Sequence, residues 1–292
     1  TAGRTILNLI TPTAGEVWFR GENIFNLTSR ARRRIRQGVQ IVFQDPFGSL
    51  NPRLTVKRIV EESLLTHRIG DAASRRREVA GMLAKVGLLP EHMNRFPHEF
   101  SGGQRQRIML ARALVLRPKL IIADEPVSAL DVSVQAQILN LMIRLQKELD
   151  LSYIFISHDL GVIRHVSHKV AVMYLGEIVE TAPVDTIYET PLHPYTSSLI
   201  SSVPVPDPRM KNRTRVVLQG DVPSPRNPPS GCRFHTRCPK CMPICSREKP
   251  VAREVSDGHV VACHLYNEGK IWAPPMPGRQ TVPKASTTAD FS

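Results

Sequence analysis

Short apolar runs alternate with longer amphipathic runs over residues 1–190, and this alternation constrains the fold of the chain most. The apolar runs are rich in β-branched residues and predict strands at 17–19, 39–43, 120–123, 153–156 and 170–173. Between them, apolar residues recur at helical spacing, as in residues 133–149, where Asp131 or Ser133 can cap the helix. Strands that alternate with helices predict an α/β fold with a largely parallel sheet covered by helices.

The last third of the chain differs in texture from the first 190 residues. Residues 191–231 are rich in proline and serine, which predicts an extended connector because such segments pack poorly into regular elements. All five cysteines follow, beyond residue 230, in a region that ends near residue 267. Residues 268–292 contain few large apolar side chains and predict a disordered tail.

The chain carries a net charge of +13, from 39 basic and 26 acidic residues. This charge suits an acidic partner such as nucleic acid, anionic lipid or the phosphates of a nucleotide. Arginine runs between residues 30 and 36 and at residues 75–77 contribute to it. Each run is either the solvated face of a helix, which we favour, or a surface close to a membrane. No apolar run reaches the length of about 18 residues that spans a bilayer.

An apolar run that ends in two carboxylates is the first candidate for a chemical site. Residues 120–123 predict a strand, and Asp124 and Glu125 follow it directly. In parallel α/β sheets, ligands bind at the carboxyl ends of the strands. Asp124 is therefore placed to hold Mg²⁺, directly or through water, and Glu125 to orient and polarise an attacking water. Two acids in a surface turn are the alternative that this pair alone leaves open.

Ser101, Gly102, Gly103 and Gln104 stand directly before a helical run and form the second candidate site. Glycines let a backbone approach a ligand closely, and a helix N-terminus offers unpaired N–H groups with a partial positive charge. The segment therefore predicts a phosphate-binding site, with an ordinary glycine-rich helix cap as the alternative.

Five segments resemble, in order, the motifs of ABC-type ATPases. Ser101-Gly102-Gly103-Gln104 resembles their signature motif and precedes the Walker B-like pair Asp124-Glu125. Gln44 resembles the Q-loop glutamine, residues 128–131 resemble the D-loop, and residues 157–159 resemble the switch-histidine segment. The resemblance covers nearly all of residues 1–190. It implies a P-loop ATPase domain with a partly parallel sheet and a helical subdomain over about residues 45–115.

The resemblance implies a role for each of these residues. Two ATPase domains pack head to tail and enclose two ATP molecules, each held by the phosphate loop of one domain and the signature helix of the other. Glu125 positions the attacking water, His158 contacts the γ-phosphate, and Gln44 senses the γ-phosphate and the Mg²⁺ that Asp124 also holds. Asp131, in the D-loop, is expected at the nucleotide. The helical subdomain carries the groove that receives a coupling helix of a permease.

Further segments resemble the ATPases of oligopeptide and dipeptide importers. They are residues 43–52 around the Q-loop, residues 193–196, and the segments around Cys232 and Cys263. The resemblance implies that ATP hydrolysis powers uptake of an oligopeptide, a dipeptide, glutathione or a nickel complex through a permease. Residues 191–267 then form the C-terminal extension of these importers.

The cysteine spacing allows a metal centre in this extension. Some relatives carry a [4Fe–4S] cluster in such a tail, which implies Cys232, Cys238, Cys245 and Cys263 as ligands. Cys241 is then an additional thiol. Zinc and unmetallated thiols are the alternatives, and only Cys238 and Cys241 have the short spacing that zinc sites favour.

The family's phosphate loop, G-x-x-x-x-G-K-[ST], does not occur in the sequence. Its backbone N–H groups and its lysine cradle the phosphates. In relatives the loop runs straight into a helix that residues 1–7 resemble, so we expect a truncated sequence in which Thr1 follows the loop and contacts the nucleotide. A naturally degenerate, non-hydrolysing subunit is the alternative. In both cases we expect that the chain alone neither binds ATP tightly nor hydrolyses it.

The resemblance also implies partners and a location. The partners are transmembrane permease subunits, a second and different ATPase subunit and, indirectly, an extracellular or periplasmic peptide-binding protein. The chain is then peripheral, at the cytoplasmic face of the inner membrane, with ATP and Mg²⁺ and without nucleic acid. ABC ATPases of nucleic-acid repair or translation usually carry coiled-coil insertions or tandem cassettes, which are not visible here. A non-catalytic partner subunit is the remaining alternative.

Overall fold

The computed structural model describes residues 2–203, 220–268 and 270–272. The described residues divide into two compact units, residues 2–35 and the described part of residues 36–272. In the first unit, helix α1 (Ala2–Ile6) precedes an antiparallel hairpin of strands β1 (Trp18–Phe19) and β2 (Glu22–Asn23). Arg20 and Gly21 both have positive φ, as the central residues of a type I′ turn require. Helix α2 (Ser29–Gly38) follows the hairpin.

In the second unit, a parallel sheet of described strands has the order β3 (Val39–Val42), β4 (Leu120–Asp124) and β5 (Ser152–Ile156). Strand β4 is central, and Ile121 and Ile122 on its two faces are fully buried. Burial on both faces explains why this run is continuously apolar instead of alternating. The parallel pairing brings the carboxyl ends of these strands to one edge, and this confirms the predicted α/β sheet.

The chain between β3 and β4 is helical. It contains α3 (Pro46–Ser49), α4 (Val56–His67), α5 (Ala72–Lys85) and α6 (Gly102–Leu114). The last three helices pack through fully buried side chains: Val56, Val60, Val79, Leu83, Ile108 and Leu114. The sequence predicted α4 with these bounds but began α5 at Arg75, because it overlooked the capping box that Asp71 and Ser74 form.

Helices α7 (Val132–Leu149) and α8 (Leu160–Val166) follow β4 and β5. Asp131 occupies the N-cap position of α7, but its side chain makes no capping bond. Asp159 does cap α8, because its Oδ1 accepts hydrogen bonds from the N–H groups of Gly161 and Val162. Within the described ranges, no helix is both long and apolar enough to cross a bilayer.

A second, antiparallel sheet contains strands that the sequence pattern mostly did not reveal. Its strands are β6 (Lys169–Tyr174), β7 (Glu177–Pro183), β8 (Arg253–Ser256), β9 (His259–Val261) and β10 (Lys270–Ile271). Helices α9 (Val184–Glu189) and α10 (Pro194–Ser202) lie between β7 and β8 in the chain. The strand order among described residues is β10-β8-β9-β7-β6. Only β6 was predicted, because the other strands are short or lack strict alternation.

Two segments of this region differ in part from their sequence interpretation. Helix α10 lies in the predicted extended connector, and Pro194 stands in its first turn, where a missing N–H costs nothing. Strand β10, in the segment predicted as a disordered tail, pairs with β8 through Lys270 and Ile271. Connector residues 204–219 and tail residues 273–292 lie outside the described residues.

A buried carboxylate on β7 ties strand β9 to the start of α10. Glu180 is 1% exposed, and its carboxylate accepts hydrogen bonds from the N–H groups of Leu192 (2.7 Å) and His193 (2.9 Å). Nε2 of His259 lies 2.7 Å from the same carboxylate. A buried charge is tolerated when it is paired and hydrogen-bonded, as here, and removing one partner typically costs about 3–5 kcal/mol. Glu180 is therefore the anchor of the C-terminal strands on β7.

We predict that the stability of the protein falls as pH drops from about 6.5 towards 4. Burial lowers the pKa of His193 to about 4, against a smaller opposing effect of Glu180. Between these values the unfolded chain binds a proton that the folded chain does not, so acidification favours unfolding, by up to about 1.4 kcal/mol per pH unit. Urea unfolding at stepped pH measures this slope.

The matched control for this prediction is His193→Asn. An Asn side-chain oxygen replaces the Nδ1 atom that accepts from the Tyr195 N–H, but it does not titrate. The variant should therefore show a flatter stability profile over the same pH range. An unchanged slope in His193→Asn would contradict the assignment of the effect to His193.

Candidate functional site

Three predicted site residues meet at the carboxyl edge of the parallel sheet. Nε2 of Gln44, two positions after β3, donates to Oε2 of Glu125, one position after β4, at 2.7 Å. Nδ1 of His158, two positions after β5, lies 3.2 Å from Oε1 of the same carboxylate. Each residue follows a different strand, so the parallel register brings them together. Glu125 is the centre of this group.

The backbone of Glu125 adopts an unusual conformation that the surrounding structure maintains. Its φ is +48°, in the left-handed region that costs a residue with a side chain about 1–3 kcal/mol. Its N–H donates to the carbonyl of Ile156 (2.9 Å), and its carbonyl accepts from Oγ of Ser128 (3.1 Å). These bonds fix the direction of the side chain, which is 25% exposed, whereas His158 is 72% exposed. The carboxylate is therefore held in place but accessible to a small molecule.

Asp124 ends strand β4 beside this group. It pairs with Ile156 in the sheet and is half-buried. Mg²⁺ in nucleotide sites is typically bound by one or two protein ligands, with phosphate and water oxygens completing the shell. A half-buried carboxylate at the carboxyl end of β4 fits that requirement, so Asp124 can serve as one such ligand; Gln44, the other predicted ligand, contacts Glu125 instead of Asp124 among the described hydrogen bonds.

The second candidate site is the N-terminus of α6, where Ser101 and Gln104 form a capping box. Oγ of Ser101 accepts from the Gln104 N–H (3.4 Å), and Oε1 of Gln104 accepts from the Ser101 N–H (3.1 Å). Both side chains thus cap the helix. The first-turn N–H groups of Gly102 and Gly103 have no carbonyl partner within the helix and are the donors that can face a ligand.

The signature glycines also allow a close helix contact. A Cβ on Gly102 would lie 3.3 Å from Cδ2 of Leu130, and one on Gly103 would lie 2.5 Å from Cγ1 of Val134. Leu130 belongs to the loop at residues 128–131, and Val134 lies in the first turn of α7. The absence of side chains therefore lets the start of α6 pack against the segment around Asp131. The sequence analysis assigned these glycines to ligand approach and missed this packing role.

Three arginines of the α6 helix make contacts that the sequence analysis also missed. Arg105 donates to the carbonyl of Pro97 (2.8 Å), Arg107 to that of Val86 (2.7 Å) and Arg112 to that of Ser49 (3.2 Å). Burial lowers the pKa of Arg107, with a further effect of the nearby Arg144. The arginines interrupt an apolar helix at half-buried positions, and only the fold reveals which carbonyls they reach. Thr1, the remaining predicted nucleotide contact, lies outside the described residues.

The cysteines lie in one neighbourhood of the C-terminal region. All five fall within the described ranges and carry free thiols. Burial raises the pKa of Cys263 to about 11 and also raises those of Cys232 and Cys238, with smaller contributions from neighbouring thiols. However, the described residues contain no group of three or more His, Cys, Asp or Glu side chains that could hold a metal ion. As arranged, these thiols do not fit the predicted [4Fe–4S] cluster.

Comparisons with known proteins match two parts of the chain to family models. A family model for ABC transporters matches residues 1–128, and a model for the oligopeptide/dipeptide transporter C-terminal region matches residues 179–245. The oligopeptide transport ATP-binding protein AppF of Bacillus subtilis (strain 168) is 55% identical over 269 residues, which cover 91% of this chain and 82% of AppF. The oligopeptide transport ATP-binding protein OppF of Escherichia coli (strain K12) is 52% identical over 265 residues, covering 90% and 79%.

Two solved structures of ABC proteins have a fold similar to that of this chain. CbiO1 from Clostridium perfringens, part of the ABC transporter complex cbiONQ, aligns with a TM-score of 0.57 at 26% identity over 64% of this chain and 73% of its own. The ATP-binding cassette MJ0796, solved as a dimer in a post-hydrolysis state with ADP and phosphate, aligns with a TM-score of 0.55 at 29% identity. That alignment covers 63% of this chain and 79% of MJ0796.

We predict that Gly103→Ala impairs ATP hydrolysis by displacing α6 from α7. The added methyl group would overlap Cγ1 of Val134, so one of the two helix ends must move. Hydrolysis by the assembled transporter should fall about tenfold or more, because small displacements of binding groups are costly. Phosphate release measures the effect.

The double variant Gly103→Ala with Val134→Ala tests the reason for this loss. Val134→Ala removes the overlapping atom, so the double variant should recover most of the activity. If the double variant is as inactive as Gly103→Ala, the glycine acts through ligand approach alone and the packing explanation is wrong.

Proposed function

The chain belongs to the family of ABC transporter ATP-binding proteins, and we propose that its hydrolysis of ATP drives uptake of oligopeptides or dipeptides through a membrane permease. The match of residues 179–245 to the oligopeptide/dipeptide transporter C-terminal region supports this substrate class. The names of AppF and OppF, which are oligopeptide transport ATP-binding proteins, support it further.

The contact of Glu125 with Gln44 and His158 is the observation that carries the catalytic part of the proposal. A carboxylate that is fixed in direction and accessible can accept a hydrogen bond from water and raise its nucleophilicity. His158 lies on the other side of that carboxylate and can donate a hydrogen bond to the γ-phosphate. Gln44 contacts the same carboxylate and is placed to respond when a phosphate and a water enter.

Binding of the phosphates is the second part of the mechanism. Asp124 and Gln44 would hold Mg²⁺, which neutralises charge on the phosphates when it is bound with ATP. The N–H groups of Gly102 and Gly103 would bind the γ-phosphate of an ATP that a sister subunit holds. Asp131, next to the start of α6, would contact the same interface. Each site is then completed by two chains, and hydrolysis weakens their association.

The partners and location follow from this function. We place the chain at the cytoplasmic face of the inner membrane, as a peripheral subunit bound to transmembrane permease subunits. A second, different ATPase subunit supplies the opposing half of each nucleotide site. A peptide-binding protein outside the membrane delivers the substrate to the permease and does not contact this chain.

We predict that Glu125→Gln, introduced into a subunit that includes the phosphate loop, abolishes hydrolysis but preserves ATP binding. The substitution keeps the size of the side chain but removes the charge that polarises water, so turnover should fall by about 10²-fold or more. ATP should then remain bound and stabilise the dimer of ATPase subunits. Phosphate release and size-exclusion chromatography of the assembled importer with ATP measure the two effects.

A surface glutamate provides the control for this substitution. Glu148 lies on α7, is 44% exposed and pairs only loosely with Arg144, at 3.6 Å. Glu148→Gln should therefore hydrolyse ATP at the wild-type rate. Wild-type turnover in Glu125→Gln would show that another group activates the water.

The [4Fe–4S] cluster stays a prediction from the resemblance, and the proposed function does not depend on it. If Cys232, Cys238, Cys245 and Cys263 rearrange to bind a cluster, anaerobically purified protein should contain about four iron and four sulfide ions per chain. Cys263→Ser should abolish this content, and Cys241→Ser should preserve it. Colourless protein without iron or zinc would contradict both metal assignments and leave the cysteines as packed thiols.

A further inference from the structure

Arg112 connects three helices of the segment between β3 and β4. It lies on α6, its Nη1 donates to the carbonyl of Ser49 at 3.2 Å, and its Nη2 donates to Oε2 of Glu62 at 3.2 Å. Ser49 ends α3, and Glu62 lies on α4. One guanidinium therefore holds together parts of the chain that are 63 and 50 residues away from it.

The two contacts of Arg112 differ in their exposure and therefore in their importance. The side chains of Arg112 and Glu62 are 39% and 56% exposed, so water and salt screen their ion pair strongly. The Ser49 carbonyl is at the end of a helix, where carbonyl groups lack a partner within the helix, and the next residue, Leu50, is 2% exposed. A charged donor to such a carbonyl makes a strong hydrogen bond. The Ser49 contact is therefore the anchoring one.

The position of this anchor relates the two groups of site residues. Ser49 follows Gln44 by one short helix, and Gln44 donates to Glu125. Arg112 stands ten residues after Gly102 on the same continuous helix, about 15 Å along its axis. The N-terminus of that helix carries Ser101, Gly102 and Gly103. Helix α6 thus carries the signature at its N-terminus and Arg112 near its C-terminus. Through the Ser49 contact of Arg112, this helix is joined to the segment that begins at Gln44.

We infer that Arg112 is a positioning residue that couples the Gln44 segment to the signature helix, so that the state of the nucleotide at Glu125 changes the position of the signature that faces the sister subunit's ATP. The inference rests on the proposed function, because it assigns Gln44 and the signature to different nucleotides. Arg112 touches neither nucleotide. It acts through the Ser49 carbonyl, and its loss should weaken communication between the two sites more than ATP binding at either.

Cooperativity of ATP hydrolysis by the assembled importer tests this coupling. In the wild type, two coupled sites should give a Hill coefficient above 1 for ATP. Arg112→Gln should lower the Hill coefficient to about 1 and change the apparent KM for ATP less than about threefold. Arg112→Lys keeps a donor that can reach the Ser49 carbonyl and should retain cooperativity. Arg112→Met keeps the aliphatic stem without a donor and should behave like Arg112→Gln. If Arg112→Gln is thermally unstable, Arg112→Met serves as the test variant in its place.

Two control variants separate the Ser49 contact from a general loss of ion pairs. Glu62→Gln removes only the exposed partner of Arg112 and should keep wild-type cooperativity. Arg117→Gln removes the exposed pair with Glu78 in the same helical segment and should also keep it. Equal loss in Glu62→Gln and Arg112→Gln, or wild-type cooperativity in Arg112→Gln and Arg112→Met, would overturn the inference.

The wild-type importer distinguishes failure of this inference from failure of the proposed function. Peptide-stimulated hydrolysis with a Hill coefficient of 1 in the wild type would overturn the coupling but leave the proposed function intact. A wild-type importer whose hydrolysis does not respond to oligopeptides or dipeptides would remove the proposed function itself.

Discussion

Burial of strand β4 in the middle of the parallel sheet is the constraint on which the candidate site depends. Ile121, Ile122 and Ala123 are fully buried, so the strand cannot slip by one residue without breaking its packing with β3 and β5. The chain must leave the sheet where the apolar run ends, and the next residues are carboxylates. The same register places the ends of β3 and β5 beside them. Hydrophobic packing thus sets the positions of the polar groups.

Glu125 combines local strain with convergent hydrogen bonds. Its positive φ is maintained by bonds to Ile156 and Ser128, and its carboxylate contacts Gln44 and His158. Around the signature, by contrast, the glycines permit close packing between α6 and the start of α7. The two groups of residues differ in what they position: the group around Glu125 fixes a charged side chain, and the signature exposes backbone N–H groups. A nucleotide site completed by two chains would use one group from each.

The C-terminal region is held to the rest of its unit by a buried acid. Glu180 accepts two backbone hydrogen bonds and contacts His259, which joins β7, β9 and the start of α10. The thiols of Cys232, Cys238 and Cys263 lie near one another. Their pKa values are raised mainly by burial, which favours the protonated form. An acid that no sequence motif marks thus connects three elements of this region.

Features that depend on local pattern could be predicted from the sequence alone. These include the continuous apolar run of β4, the bounds of α4, and the residue types at the strand ends, with Asp124, Glu125 and His158 among them. The fold was needed to show that Gln44 donates to a carboxylate 81 positions later and that Glu180 contacts His259, 79 positions away. Periodicity and capping depend on neighbours within a few residues. Contacts across such separations depend instead on sheet register and on turns, and short strands such as β9 carry too little periodic signal to reveal them.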